Sequence, residues 1–437
     1  MAIPRRNIID PSQPVTCHCV SRCVRRLLLL EDRSKPEDLG DGNAASSREP
    51  DFWKKLLAAR IVELVALFAI DVIEWAILGN HFHLLLATHP ELVALWSDRE
   101  IAVRWRTLTP DYHWRRRKKI PYNAPAQEDE IAAMLADPKA IAHARRVLAD
   151  VSQFHKFLKQ RIAQLANAED DVTGHFWDGR FKSIVATDLP TVIAHMVYIA
   201  LNPVRAGLAA SLEECEFASI RARIDELKRR IEVGEFAGEV EEAKQKLRGL
   251  KLLPALPCDP GRDVRRMERL PNGAPNPWKG GAVPPVLEGL TISAFLDEAD
   301  RVGRTERKGK KSLPPERAKV MAMLEARIEN RLNAKRAHNA RAVRGARVTR
   351  ADGSTGVTIA SPGPPAAAMD LLASVAAYAG PIEEALSQGL ANAFGNFSGN
   401  LKSVARRAAE LGRAAVWTIF DPEGREPRRW VKADRGE

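Results

Sequence analysis

The stretch "VIEWAILGNHFHLLLATH" constrains the fold of this chain more than any other. Two β-rich runs flank Gly79-Asn80, and a two-residue Gly/Asn loop between such runs closes a β-hairpin. "VIEWAIL" and "HFHLLLA" are therefore expected to pair. Side chains alternate along a strand, so His81, His83 and Leu85 share one face. Phe82, Leu84 and Leu86 share the other and go to the core. Histidines at i and i+2 have Cα atoms about 7 Å apart, which lets both rings converge on one divalent metal. The plainer reading is a pair of strand histidines on a half-exposed face, and H-x-H alone does not separate the two.

A metal needs further ligands, and a reaction needs a nucleophile. The chain has 4 tyrosines, Tyr112, Tyr122, Tyr198 and Tyr378. "DLPTVIAHMVYIALNP" reads as a helix with Asp188 as N-cap, Pro190 in its first turn and an end at Asn202, before Pro203. Tyr198 and Asn202 are one turn apart and share a face. Ile193, Met196, Val197 and Ala200 line another. An amide oxygen beside a phenol suits a third ligand next to a nucleophile. His195 is a rival third ligand, and a tyrosine packed at the edge of the core is the plainer account.

Charge narrows the partners. The 437 residues carry a formal net charge of +11, which favours an anionic partner, nucleic acid first and an acidic membrane second. No apolar run is long enough to span a bilayer, and the first residues show no secretory pattern, so a cytoplasmic, nucleoid-associated protein is expected. A basic insertion at 91–140 interleaves Trp105, Tyr112, Trp114 and Tyr122 with Arg104, Arg106 and the run Arg115, Arg116, Arg117, Lys118 and Lys119. That mixture suits stacking on unpaired bases with phosphate contacts. For any single residue there, a solvated basic loop is an equal account. No G-x₄-G-K-[ST] loop occurs, so no nucleotide cofactor is expected. Cys17, Cys19 and Cys23, with His18 among them in "TCHCVSRC", are poorly spaced for zinc and read as small buried thiols on a strand.

Along the chain, 14–30 reads as a strand and a basic turn. Residues 51–68 have helical spacing, and a long amphipathic helix carries Phe154, Leu158 and Ile162. "HFWDGRFKSIVAT" reads as a strand. A charged helical hairpin is expected at 226–257, and the Pro/Gly-rich 258–288 reads as a linker. A basic, mainly helical region fills 289–437, with a flexible linker near 345–366 and a last helix capped by Ser398.

"LGNHFHLLL" resembles the histidine–hydrophobe–histidine motif of the HUH single-strand nucleases. "GHFWDGRFKSIVATDLPTVIAHMVYIALNPVRAGL" resembles the second signature of the REP-associated tyrosine transposases, relatives of the single-tyrosine insertion-sequence transposases. "VSRCVRR" and "LWSDREIAVRW" are similar to pieces of one long-chain branch of that group. The resemblance covers about residues 14–225. It implies an α+β fold, a ferredoxin-like HUH nuclease domain whose antiparallel sheet has helices on one face, followed here by the basic helical extension. It implies Mg²⁺ or Mn²⁺ on His81 and His83, with Asn202 at the position of the helix-borne third ligand. Tyr198 matches the nucleophile that forms a 5′-phosphotyrosine on single-stranded or hairpin DNA. Trp177, Arg180, Lys182 and Arg205 lie inside the signatures and are expected to handle DNA. Leu78-Gly79 departs from the Met-Pro or Met-Ser of relatives without removing the turn. A replication initiator of the same chemistry, and a catalytically idle nucleic-acid binder or repressor on the same fold, are the alternatives. Monomer and homodimer both remain open.

Overall fold

The structure is a computed structural model that describes residues 9–31, 50–121, 124–282 and 287–346, with the pair 397–398. The first strand, β1 (Thr16–Arg22), leads through helix α1 (Phe52–Leu67) into β2 (Ile70–Ile77) and β3 (His81–Thr88). Six helices follow: α2 (Pro90–Leu95), α3 (Asp98–Leu108), α4 (Tyr112–Lys118), α5 (Glu128–Leu135), α6 (Pro138–Val147) and α7 (Val151–Glu169). Then come β4 (Lys182–Ala186) and α8 (Leu189–Arg205). The strand order is β2-β3-β1-β4, with every neighbouring pair antiparallel. A two-residue strand, β5 (Phe397–Ser398), pairs parallel to the outer edge of β4.

The hairpin forms as its turn requires. Leu78 N–H donates to His81 O at 2.8 Å across Gly79-Asn80. Ile77 pairs with Phe82, and Ala76 with His83. On the other side of β3, Arg22 pairs with His81 and Val20 with His83.

Helices cover both faces of the sheet, which corrects the one-faced arrangement expected from sequence. Phe82, Leu84, Leu86, Cys17 and Cys19 pack with Leu57 and Ile61 of α1 and Phe154 and Leu158 of α7. Leu85, Ala87, Ile73 and Ile184 pack with Ile193, Met196 and Val197 of α8. The cause is visible in β3 itself. Beyond His83 it is apolar on both sides, and a strand buried on both faces needs a helical layer over each.

The second core continues into the C-terminal half. Helices α9 (Ser219–Val233), α10 (Val240–Arg248), α12 (Ile292–Arg304) and α13 (Val320–Ala346) contribute Leu227, Leu247, Phe295, Leu296 and Leu324. Between them, the segment expected as a linker is packed down instead, and it carries the short helix α11 (Arg262–Arg266). Cys258 N–H donates to Asp71 Oδ1 at 2.7 Å, Trp96 Nε1 to Pro260 O at 2.9 Å, and Trp278 is buried. Its Pro/Gly content marks irregular backbone, not freedom from the core.

Two local expectations also change. "HFWDGRF" is not strand: it runs as bends, with Trp177 making an isolated bridge to Cys23, and β4 starts only at Lys182. Pro203 does not end α8, which runs to Arg205 and closes with Ala206 N–H on Asn202 O. A proline in the last turn costs one intrahelical bond and is tolerated there because the packed helix around it is over-determined. The expected linker beyond residue 346, Tyr122, Tyr378 and the C-terminal helix lie outside the described residues, and Ser398 is paired in β5.

Candidate active site

Helix α8 is fixed over the sheet by its apolar stripe and by Asp188, whose side chain accepts from Thr191 N–H at 2.9 Å. That seating brings Tyr198 and Asn202 against the hairpin. Asn202 Nδ2 lies 3.1 Å from Nε2 of His83. The rings of Tyr198 and His83 meet edge-on with centroids 5.5 Å apart, and Asn202 is near enough to favour the ionised Tyr198 phenol. The rings of His81 and His83 are 5.0 Å apart, and His81 Nδ1 is 2.6 Å from Asn80 Oδ1. The turn that closes the hairpin therefore also orients its first histidine. All four residues are brought together.

One member of the cluster was read differently in the sequence. His18 on β1 is buried, with Nε2 2.9 Å from His83 Nδ1 and Nδ1 3.1 Å from His195 Nδ1. His195 therefore stands behind His18, one ring removed from His83, and not beside Asn202. Strand alternation carried the signal: His18 shares a face with Val20 and Arg22, opposite Cys17 and Cys19. Cys17, Cys19 and Cys23, on and just after β1, are free and buried as expected of small thiols there, and Cys215 and Cys258 are free and buried outside the strands.

Burial sets the electrostatics. It pushes His18 and His83 well below the usual imidazole value, with neighbouring histidines adding to the effect. His195 falls to about 3 through burial. His81 falls to about 4, through burial and then the charges of Arg22 and Lys310. All four rings are thus neutral near pH 7 and offer lone pairs. Burial raises the Tyr198 phenol, while Asn202 and the charges of Arg22 and Arg307 pull the other way.

The residues expected to hold DNA divide into two groups. Arg116, Arg117, Lys118 and Lys119 are exposed at the end of α4, and Arg180 and Lys182 are exposed beside β4. Lys182 pairs with Val20, on the sheet face that carries His83. The other three are structural. Arg115 is buried, with Nη2 2.7 Å from Glu130 Oε2 and further bonds to the carbonyls of Ala124 and Pro125. A guanidinium enclosed by a carboxylate and carbonyls has no face left for a phosphate. Trp177 donates from Nε1 to Lys159 O at 3.0 Å and packs edge-on against Phe82 in the first core. Arg205 donates to the carbonyls of Val302, Thr305 and Lys311 and to Ser312 Oγ, tying the end of α12 to α8.

A second cluster could hold a metal ion. Ligand atoms of Asp71, His89 and Cys258 lie within 4.8 Å of one another, all buried, at the far end of β2 and β3 from His81. Hydrogen bonds already join them. His89 Nε2 lies 2.9 Å from Asp71 Oδ2 and Nδ1 lies 3.2 Å from Glu91 Oε1. Burial opposes charge on His89, but the bonds to Asp71 and Glu91 outweigh it and raise the ring to about 9. Burial, and then Asp71, push the Cys258 thiol well up. The cluster is an imidazolium held between carboxylates, with the Cys258 strap fastened to it.

No protein-family model matches this chain, and no curated protein matches it. A solved structure of a REP-associated tyrosine transposase bound to a REP hairpin is similar at 13% identity, over 51% of this chain and 84% of that one, with a TM-score of 0.28. At that TM-score the likeness carries no inference about function. Among the described residues, no helix is long and apolar enough to cross a membrane.

Proposed function

We propose that this chain is a metal-dependent DNA endonuclease and strand transferase of the HUH, single-tyrosine kind, acting on single-stranded, hairpin-bearing DNA. The observation that carries the reading is the meeting of Tyr198, Asn202, His81 and His83, the same four residues singled out in the sequence by their motifs. The strand order β2-β3-β1-β4, with α1 and α7 on one face, supports a ferredoxin-like core beneath the site. The exposed Arg116–Lys119 run and Lys182 support an anionic polymer as substrate.

The donors suit a divalent ion. His81 and His83 are neutral, and the Asn202 amide, whose Nδ2 lies against Nε2 of His83, would present its oxygen on turning about its side-chain bond. Two imidazoles and an amide, with no carboxylate, favour a transition ion such as Mn²⁺ over Mg²⁺. When bound, the ion would polarise the scissile phosphate and offset charge on its oxygens.

Tyr198 supplies the nucleophile. Its Oη attacks phosphorus, an O–P bond forms and the P–O3′ bond breaks. The phenol proton departs and the leaving 3′ oxygen takes one up. One phosphoester replaces another, so rejoining needs no nucleotide. Asn202, Arg22 and Arg307 favour its ionised form against the cost of burial.

Incubating the chain with a hairpin-bearing oligonucleotide and Mn²⁺, then mapping the adduct by mass spectrometry, tests this. A phosphotyrosyl link at Tyr198 is expected. Absence of any adduct with Mn²⁺ or Mg²⁺, or a link at another tyrosine, overturns it.

A further inference from the structure

We infer that His18 and His195 are positioning residues that hold His83 as its Nδ1-protonated tautomer, leaving Nε2 without a proton, an acceptor for the Asn202 amide here and a lone pair for a metal once that amide turns away. The inference deepens the nuclease reading and rests on it for the metal.

Hydrogen-bond counting leads there. Three imidazoles from three elements form a line. His83 Nδ1 meets His18 Nε2 at 2.9 Å, and His18 Nδ1 meets His195 Nδ1 at 3.1 Å. Each contact needs one donor and one acceptor, and a neutral ring has a single N–H. Only two neutral patterns satisfy both contacts. In one, His83 Nδ1–H donates to His18 and His18 Nδ1–H donates to His195. In the other every bond reverses, and His83 must carry its proton on Nε2.

Asn202 decides between them. Its Nδ2, a donor, lies 3.1 Å from His83 Nε2. Two N–H groups cannot face each other at that distance, so Nε2 is the acceptor and Nδ1 holds the proton. A protonated His18 donating both ways would again force the proton onto His83 Nε2. It would also bury a charge whose two ring nitrogens both face imidazoles and no carboxylate.

Metal-binding histidines commonly donate their second nitrogen to a carboxylate or carbonyl, which fixes tautomer and ring plane. Here another imidazole takes that place, and a third imidazole fixes it in turn. The line also fastens β1 and β3 to α8 one turn before Tyr198, so the same hydrogen bonds that orient His83 set the nucleophile's height over the sheet.

The test uses the full chain labelled with ¹⁵N-histidine. Two-bond proton–nitrogen correlation spectra report the His83 tautomer, and electron paramagnetic resonance reports Mn²⁺ affinity. In the native chain His83 is expected with its proton on Nδ1. A proton on Nε2 overturns the inference without any variant. His18→Leu keeps the bulk and removes the acceptor. It is expected to weaken Mn²⁺ binding about 10–100-fold and to mix the His83 tautomers. His18→Gln returns an acceptor oxygen and is expected to recover part of the affinity. A folded His18→Leu that binds Mn²⁺ within about twofold of the native chain, with His83 unchanged, overturns the inference even if the native chain cleaves DNA. If the native chain neither binds Mn²⁺ nor cleaves while His83 still carries Nδ1–H, the nuclease reading falls and the tautomer lock stands.

Discussion

Asn202 on α8 touches Nε2 of His83 on β3 at 3.1 Å across 119 residues of sequence. The same amide lies one helical turn from Tyr198 and favours its ionised form. One small side chain therefore joins the prospective nucleophile to the prospective metal ligand, and each can be removed separately.

Tyr198→Phe deletes the hydroxyl and keeps the ring against His83. Covalent adduct and cleavage should fall below detection, while Mn²⁺ affinity stays near native. Asn202→Ala should lower both. Gel mobility of a labelled hairpin oligonucleotide reads the adduct, and metal titration reads the affinity. Adduct formation by Tyr198→Phe would remove the phenol from the mechanism.

Stability should peak near pH 6.5 and fall on both sides. His81 and His195 have folded values of about 4 and about 3, below the unfolded imidazole value of about 6.5. Their contribution is complete above pH 6.5 and is lost as pH falls toward those values, because the unfolded chain takes up the protons first. His89 is the opposite case, raised to about 9. Its contribution is complete below pH 6.5 and is lost as pH rises through 9. Urea midpoints across this range measure both limbs. His195→Leu should flatten the acid limb and His89→Gln the alkaline one. An alkaline limb unchanged in His89→Gln would refute the assignment.

What the sequence made legible was local. The Gly79-Asn80 turn, the alternation of His81 and His83, and the helical spacing of Tyr198 and Asn202 each depend on a few neighbouring residues. What it hid depended on partners far along the chain. His18 pairs with Leu85 and reaches His83 diagonally, so its role follows from the β1–β3 register, which the sequence does not print. Arg115 sits in a run of basic residues that reads as a solvated face, and only Glu130, reached through a turn and a helix, reveals it as buried. The two-sided sheet was half visible in "LLLA", since an uninterrupted apolar strand asks for cover on both faces.

The two metal-capable clusters should separate cleanly. His81→Ala and His83→Ala should abolish Mn²⁺ binding and cleavage while the fold persists. Cys258→Ser should leave both unchanged, since Asp71 and His89 are at the other end of β2 and β3. Elemental analysis of the purified chain should find zinc well below one per molecule, because hydrogen bonds already close the Asp71 cluster. Stoichiometric zinc that is lost in Cys258→Ser would make that cluster a metal site.

The C-terminal half is not a detachable arm. Leu296 and Leu324 are fully buried in the core that holds Met196 and Val197 of α8. Leu324→Ala should cost about 2–5 kcal/mol of stability. Ending the chain at residue 285 should expose the back of α8 and abolish cooperative melting, whereas ending it at 346 should not. Circular dichroism melts decide this. A chain ending at 285 that melts cooperatively and still cleaves would show the two halves to be independent.

The basic segment of α4 should divide at Arg115. Its guanidinium is paired with Glu130, and both side chains are about 2% exposed. Removing one partner of a buried pair leaves the other charged and uncompensated, so Arg115→Ala should destabilise the fold by about 3–5 kcal/mol. Changing Arg116, Arg117, Lys118 and Lys119 together to alanine should barely alter stability, because these side chains face solvent. It should instead weaken binding to single-stranded DNA and lower the log–log salt slope by about 0.7 for each phosphate no longer neutralised. Fluorescence anisotropy over a salt series, beside urea unfolding of the same proteins, separates the two effects. A fourfold variant with a native salt slope would move the DNA path off α4, toward Arg180 and Lys182.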